Sequence, residues 1–256
     1  MEKTWEEEFD FYIGRLGDDP VGVFVDLGVG PHVPLPDHNV RVRLLVHMQN
    51  PRPDGLRSRE ESQRLFALED QLVEELDRQF GTLMVGRVTV AGVTDLVFYA
   101  PGTMVGQLEA LRAVVDRVRD EYQIDLDVSP DISWEFYREV LWPDAFEHQF
   151  IMSNRVLRQL EQAGDDPSIP RPLDHLVVLP DRESAERAVT GLRELGFDIS
   201  GHEADEEEGF HIAFKDEMVL EGRAIHDRVS SILSVVLPLE GVYDGWGCTV
   251  MQPPGN

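Results

Sequence analysis

The order of hydrophobic periodicities in residues 173–247 leaves this chain fewer folds than any other feature of its sequence. "LDHLVVL" (173–179) is an apolar run of strand length. In the following "DRESAERAVTGLREL", Ala185, Ala188, Val189, Leu192 and Leu195 recur at helical spacing, with Asp181 as N-cap and Gly196 as the stop. "FDISGH" (197–202) and "GFHIAFK" (209–215) alternate with period two on either side of the acidic "EADEEE" and read as paired strands. Ile225, Val229, Ile232, Leu233 and Val236 then stripe a second helix that ends at Gly241. Asp244-Gly245 supplies a tight turn, and "WGCTVM" is the last strand. Strand, helix, two strands, helix, strand is the split βαβ, or ferredoxin-like, order, in which two helices cover one face of a four-stranded antiparallel sheet. A helix marked by Phe146, Phe150, Leu157 and Leu160 precedes it and ends at Gly164.

The first half repeats the plan. "NVRVRLLVHM" is a strand, and Leu65, Leu68, Leu72, Leu76 and Phe80 mark a long helix. "TLMVGRVTV" and "TDLVFYA" form a hairpin about Ala91-Gly92, Leu108, Leu111, Val115, Val118 and Tyr122 mark a second helix, and "IDLDVS" closes the set. An amino-terminal pair, "WEEEFDFYIGRL" and "VGVFVDL", extends the sheet. The predicted class is α+β: two tandem ferredoxin-like sandwiches with mostly antiparallel sheets, in domains 1–145 and 146–256. At the join, Ser129-Pro130 starts a helix that Pro143 ends. Its two apolar stripes, one of Ile132, Phe136 and Val140 and one of Trp134, Tyr137 and Leu141, predict burial on both sides at the domain junction.

Composition narrows the class further. With 256 residues and 42% hydrophobic content the chain can bury two cores of ordinary size. It has no run of the roughly 18 apolar residues that a membrane span needs, and "MEKTWEEEFD" is unlike a basic, then apolar, signal peptide. A cytoplasmic protein without membrane association is expected. One cysteine, Cys248, allows no internal disulfide and no multi-cysteine zinc motif, and it reads as a small buried hydrophobe. The formal net charge is −26, with 14 basic against 28 acidic side chains in residues 1–145 and 9 against 21 in 146–256. Acidity in both halves opposes direct nucleic-acid binding, which draws its affinity from basic groups displacing counterions, and suits a protein partner with a basic surface.

The sequence lacks the phosphate loop GxxxxGK(S/T), a GxGxxG turn after a strand, HExxH, GxSxG and an EF-hand calcium loop. Three features remain as candidates. If Leu176 and Val178 face the helices, His175 lies on the opposite, open sheet face, where His211 and Lys215 from "GFHIAFK" and Asp198 and His202 from "FDISGH" join it. Three histidines with only Asp198 nearby make a poorly specified site, so no metal and no cofactor is expected. The open face also lacks the stacking aromatics of RNA-binding members of this superfold. The second feature is the acidic loop Glu203, Asp205, Glu206, Glu207 and Glu208, whose consecutive carboxylates do not wrap a calcium ion and which suits contact with a basic partner. The third is Tyr243, Asp244, Gly245, Trp246 and Gly247, read as large rings anchoring the sheet end around a turn.

"LDHLVVLPDRESAERAVTGLRELGFDI", a long helix and then "YDGWG" resemble the ribonuclease E inhibitor RraB family, regulator of ribonuclease activity B, from residue 146 onward. "WEEEFDFY", "VFYA" and "SWEFYREVLWP" are similar to the domain of unknown function 695 family. The resemblance implies a non-catalytic regulator that binds an RNA-processing endoribonuclease and limits cleavage by protein contact. A different class stays open: a small-molecule- or metal-binding enzyme with its site between the domains or on the histidine-bearing face.

Overall fold

In the computed structural model, which describes residues 5–119, 122–205 and 209–252, with the backbone alone at 200–205, the chain divides into two compact units, Met1–Pro143 and Asp144–Asn256. The first unit runs β1 (Phe9–Leu16), β2 (Asp19–Asp26), β3 (Val40–His47), α1 (Arg59–Phe80), β4 (Leu83–Val90), β5 (Val93–Ala100), α2 (Leu108–Val118) and β6 (Gln123–Pro130). Its six strands lie in the order β1-β2-β4-β5-β3-β6, every neighbouring pair antiparallel. Along β3, Val40, Val42, Leu44 and Val46 turn to the helices, while Arg41, Arg43 and His47 take the other face. The α1 stripe of Leu65, Leu68, Leu72 and Leu76 is buried against them, each leucine contributing about 1.5–3 kcal/mol. Ser58 caps this helix by accepting from the Glu61 N–H, and Gly81 ends it at φ 64°, a conformation that costs glycine nothing.

After β6 the chain crosses the other face of the sheet. The sequence reading begins a helix at Ser129-Pro130, but both residues belong to β6, paired with Arg41 and Val40. A proline is tolerated there because β6 is an edge strand. Asp131 takes over as the cap: its carboxylate accepts from the N–H groups of Glu135 and Phe136 and from the Tyr99 hydroxyl at 2.6 Å. A π-helical turn, Tyr137–Leu141, follows. Trp134 stacks on Tyr99 with ring centroids 3.8 Å apart, the Tyr137 hydroxyl donates to the Asp26 carbonyl, and the Tyr12 hydroxyl donates to the Leu141 carbonyl. Only one of the two expected stripes is therefore buried. Trp134, Tyr137 and Leu141 seal the sheet face of their own unit, whereas Ile132 is 73% and Val140 41% exposed.

The second unit runs α3 (Ala145–Gln162), β7 (Arg171–Leu179), α4 (Arg182–Glu194), β8 (Asp198–Asp205), β9 (Gly209–Met218), α5 (Gly222–Val236) and β10 (Val242–Gly247). Asp144 and Glu147 form a reciprocal capping box at the start of α3, and Asp181 caps α4 by accepting from the Ser184 N–H. The sheet order is β10-β7-β9-β8, again with every pair antiparallel. Ala188 and Leu192 of α4 and Ile225, Val229 and Ile232 of α5 pack on Val177, Leu179, Ile212 and Phe214. The chain is thus α+β with antiparallel sheets. β8 is longer than the sequence reading makes it: Glu203, Ala204 and Asp205 pair with His211, Phe210 and Gly209 in the ladder. That part of the expected acidic loop is strand, and Glu206, Glu207 and Glu208 lie outside the described residues. No helix among the described residues is long and apolar enough to cross a membrane.

Candidate functional site

The "YDGWG" motif lies wholly within β10 and contains a bulge where a turn was expected. Tyr243 pairs with Val177, and the register then shifts so that Gly245 pairs with Leu176 and Trp246 with His175, leaving Asp244 as the extra residue. In a regular strand, side chains three positions apart point to opposite faces. The bulge resets the alternation, so Tyr243 and Trp246 both enter the core. Gly245 takes φ 109°, a backbone conformation for which glycine is the suited residue. Asp244 stays exposed. On the core side the Trp246 indole donates to the Ser153 hydroxyl at 3.1 Å, and the Gln149 amide donates to the Tyr243 carbonyl at 2.9 Å, so α3 is fastened to β10 at two points.

Gly241, read as the end of the second helix, has a different task. The helix passes into a short 3-10 turn, Leu237–Leu239, and Glu240 takes the left-handed conformation at φ 56°. A Cβ on Gly241 would lie 2.5 Å from a Leu179 methyl and 2.7 Å from one of Val236, so glycine is required by close packing.

His175 is also on the core side, not on the open face. Arg171, Leu173, His175, Val177 and Leu179 point inward along β7, and Asp174, Leu176 and Val178 point out. His175 stacks on Phe214 with centroids 5.1 Å apart and meets the edge of Phe197, and its Nδ1 is 2.8 Å from the Tyr243 hydroxyl. Burial pushes the imidazole down to about 4, the Arg228 guanidinium adding to the effect and the Asp216 and Asp174 carboxylates opposing it. Burial likewise raises the Tyr243 hydroxyl well above its ordinary range. The pair is therefore a neutral hydrogen bond near pH 7. Beside it, Arg228 lies 3.7 Å over the Phe197 ring and is ion-paired with Asp216.

The expected cluster is divided as a result. His211 and Lys215 do lie on the open face, with Asp198 opposite Lys215 in the ladder, but the sheet separates them from His175. The side chains of His202, Glu203 and Asp205 lie outside the described residues. Lys215 bonds Asp174 at 2.8 Å, and this partner raises its ammonium above the usual lysine range. Val242, 62% exposed, lies opposite Val178 on the same face. Among the described residues, no group of three or more His, Cys, Asp or Glu side chains is arranged to hold a metal ion. Cys248 is half-buried, and burial raises its thiol.

The site thus joins a sealed aromatic floor to an exposed, mixed acidic and apolar sheet face, within an α+β chain of two antiparallel-sheet units. By sequence the chain belongs to the family of unknown function DUF695, whose model matches residues 7–142. Residues 150–248 match the family model Regulator of ribonuclease activity B. Curated relatives agree over this second half. The Regulator of ribonuclease activity B of Salmonella typhi is 26% identical over 118 residues, 44% of this chain and 86% of that protein. Its namesake in Escherichia coli (strain K12) is 25% identical over the same length and shares. A crystal structure of an unknown protein from Galdieria sulphuraria overlays 83% of this chain and 99% of that one at 11% identity and a TM-score of 0.24, too low to bear on the fold.

Proposed function

We propose that this chain is a non-catalytic regulator that acts by protein contact on an RNA-processing endoribonuclease of the ribonuclease E kind. The match of residues 150–248 to Regulator of ribonuclease activity B carries the reading. Charge supports it: at a net −26 the chain repels a phosphate backbone and attracts the basic surface of a protein that itself binds RNA. The open face of the second sheet offers such a partner exposed carboxylates at Asp174, Asp198 and Asp244 beside the exposed Val242. A histidine-centred enzyme site on that face loses its basis with His175 in the core. Surface plasmon resonance against immobilised purified endoribonuclease tests the proposal. Specific binding is expected, with an association rate that falls as salt is raised. Absence of binding at low salt would remove the proposal.

A further inference from the structure

The sheet of the first unit is wider than its helical layer. Neighbouring strands lie about 4.8 Å apart and a helix with its side chains is about 10 Å across, so α1 and α2 cover roughly four of the six strands. The two left over are β1 and β2. The core beneath the helices draws on β3, β4, β5 and β6, and no residue of β1 or β2 belongs to it. The hairpin is held from behind instead: Tyr12, Val23 and Val25 are buried, and the Tyr12 hydroxyl donates to the Leu141 carbonyl at 3.1 Å.

The face turned toward the helical layer is apolar and open. Phe9, Phe11 and Ile13 alternate along β1 with the buried Asp10 and Tyr12, and Phe11 is 44% and Ile13 46% exposed. Phe24 of β2 pairs with Phe11 and stacks on Phe9 with centroids 4.9 Å apart. The Phe11 ring lies over Gly22, where a Cβ would come within 3.2 Å of it. Arg87 of β4 joins this floor to α1: its guanidinium is 4.2 Å over the Phe24 ring and 5.2 Å from that of Phe66, an exposed ring on the near side of the helix. The result is a slot about one helix wide, floored by β1 and β2 and walled on one side by α1. An eight-residue strand is about 27 Å long, the length of a helix of about 18 residues.

Charge and backbone bonding select among occupants. Arg57 and Arg87 are both ion-paired with Glu69, two guanidiniums to one carboxylate, so the wall of the slot carries excess positive charge. Arg87 keeps 13% of its side chain exposed there. A second copy offers the same positive charge and adds the repulsion between two chains of net −26. An added strand is opposed at the edge itself. The Glu8 carbonyl accepts from Leu27 on the β2 side, so by alternation the Phe11 N–H points to the outer edge, where it already donates to the Asp10 carboxylate at 2.9 Å. We infer that the uncovered face of β1 and β2 docks an amphipathic helix of another protein, with its apolar stripe on Phe11, Ile13 and Phe24 and a flanking carboxylate at Arg87. This face lies outside residues 150–248, so failure of its test leaves the proposed regulatory role untouched.

The probes are two synthetic helical peptides of about 18 residues with the same leucine stripe, one flanked by glutamates and the other by glutamines. Each is titrated into the full chain and followed by amide NMR. Saturable shifts centred on Phe9, Phe11, Ile13, Phe24 and Phe66 are expected, with the glutamate peptide bound about fivefold or more tighter, as a charge-assisted contact requires. The double variant Phe11→Ser, Ile13→Ser changes two exposed side chains. It should keep the near-ultraviolet signal of the stacked Trp134 and weaken the glutamate peptide about tenfold or more. Shifts that do not saturate or that centre on other residues would overturn the inference, as would equal affinity of the two peptides for the wild type. A dimer in sedimentation that the double variant abolishes would also overturn it, by assigning the face to a second copy.

Discussion

Protonating His175 should loosen the second unit in a defined pH window. The imidazole is lowered from an ordinary 6.5 to about 4 in the folded state, chiefly by burial. Between those values the unfolded chain holds the proton and the folded protein does not, so unfolding takes up a proton and stability falls as pH falls. Above 6.5 the stabilisation is complete, and below 4 the loss levels off. The whole depression corresponds to about 3 kcal/mol, and most of it should be gone by about pH 4.5. His175 is only 3% exposed, so solvent screening takes little from this figure. Carboxylates also titrate near the lower end, and His226, lowered by burial as well, moves in the same direction. The measurement is therefore a difference: urea unfolding of the wild type and of His175→Phe across the window. The variant keeps a ring against Phe197 and Phe214 but leaves the Tyr243 hydroxyl without its partner, a loss of about 1–3 kcal/mol at every pH. The wild type should be the more stable near neutrality, and its advantage should shrink as pH falls. Parallel curves for the two proteins would refute the reasoning.

Other variants probe the remaining contacts. Trp246→Ala removes a buried indole and its bond to Ser153 and should destabilise the second unit by about 3–5 kcal/mol in the same unfolding assay, while Asp244→Asn, at an exposed bulge position, should change little. Asp131→Ala leaves two backbone N–H groups and the Tyr99 hydroxyl without their acceptor and should cost about 3 kcal/mol, with loss of the near-ultraviolet signal of the stacked Trp134. Neutralising Glu206, Glu207 and Glu208 should slow association with a basic partner and flatten its salt dependence, with unfolding changed by less than about 0.5 kcal/mol.

The elements that could be read from the sequence are those whose two faces differ sharply in polarity. "VRVRLLVH" gives β3 its faces because Arg41 and Arg43 cannot share the side of Val40 and Val42. β7 is harder, because Leu176, Val177, Val178 and Leu179 are all apolar and the phase rests on Asp174 and His175, both polar and adjacent. The aspartate is the better marker: an unpaired carboxylate cannot be buried, whereas a neutral imidazole with one hydroxyl partner can. With Asp174 outward, strand alternation turns His175 inward. The bulge in β10 also left a trace, since two large rings three residues apart with a glycine between them cannot both be buried on a regular strand. Ser153 and Gln149 left none. Their importance comes from the docking of α3 on β10, which no local pattern records. The helix expected from Ser129-Pro130 was lost to pairing with β3, a tertiary contact that overrides a local capping preference.

The most direct measurement is whether the full chain alters RNA cleavage by a purified endoribonuclease of the ribonuclease E kind. The assay follows a defined RNA substrate while the chain is added at increasing concentration, at low and at raised salt. A dose-dependent fall in cleavage rate that weakens as salt is raised, with no cleavage of the RNA by the chain alone, is the predicted result. An unchanged rate at concentrations that saturate every detectable contact, or RNA cleavage by the chain itself, would contradict it.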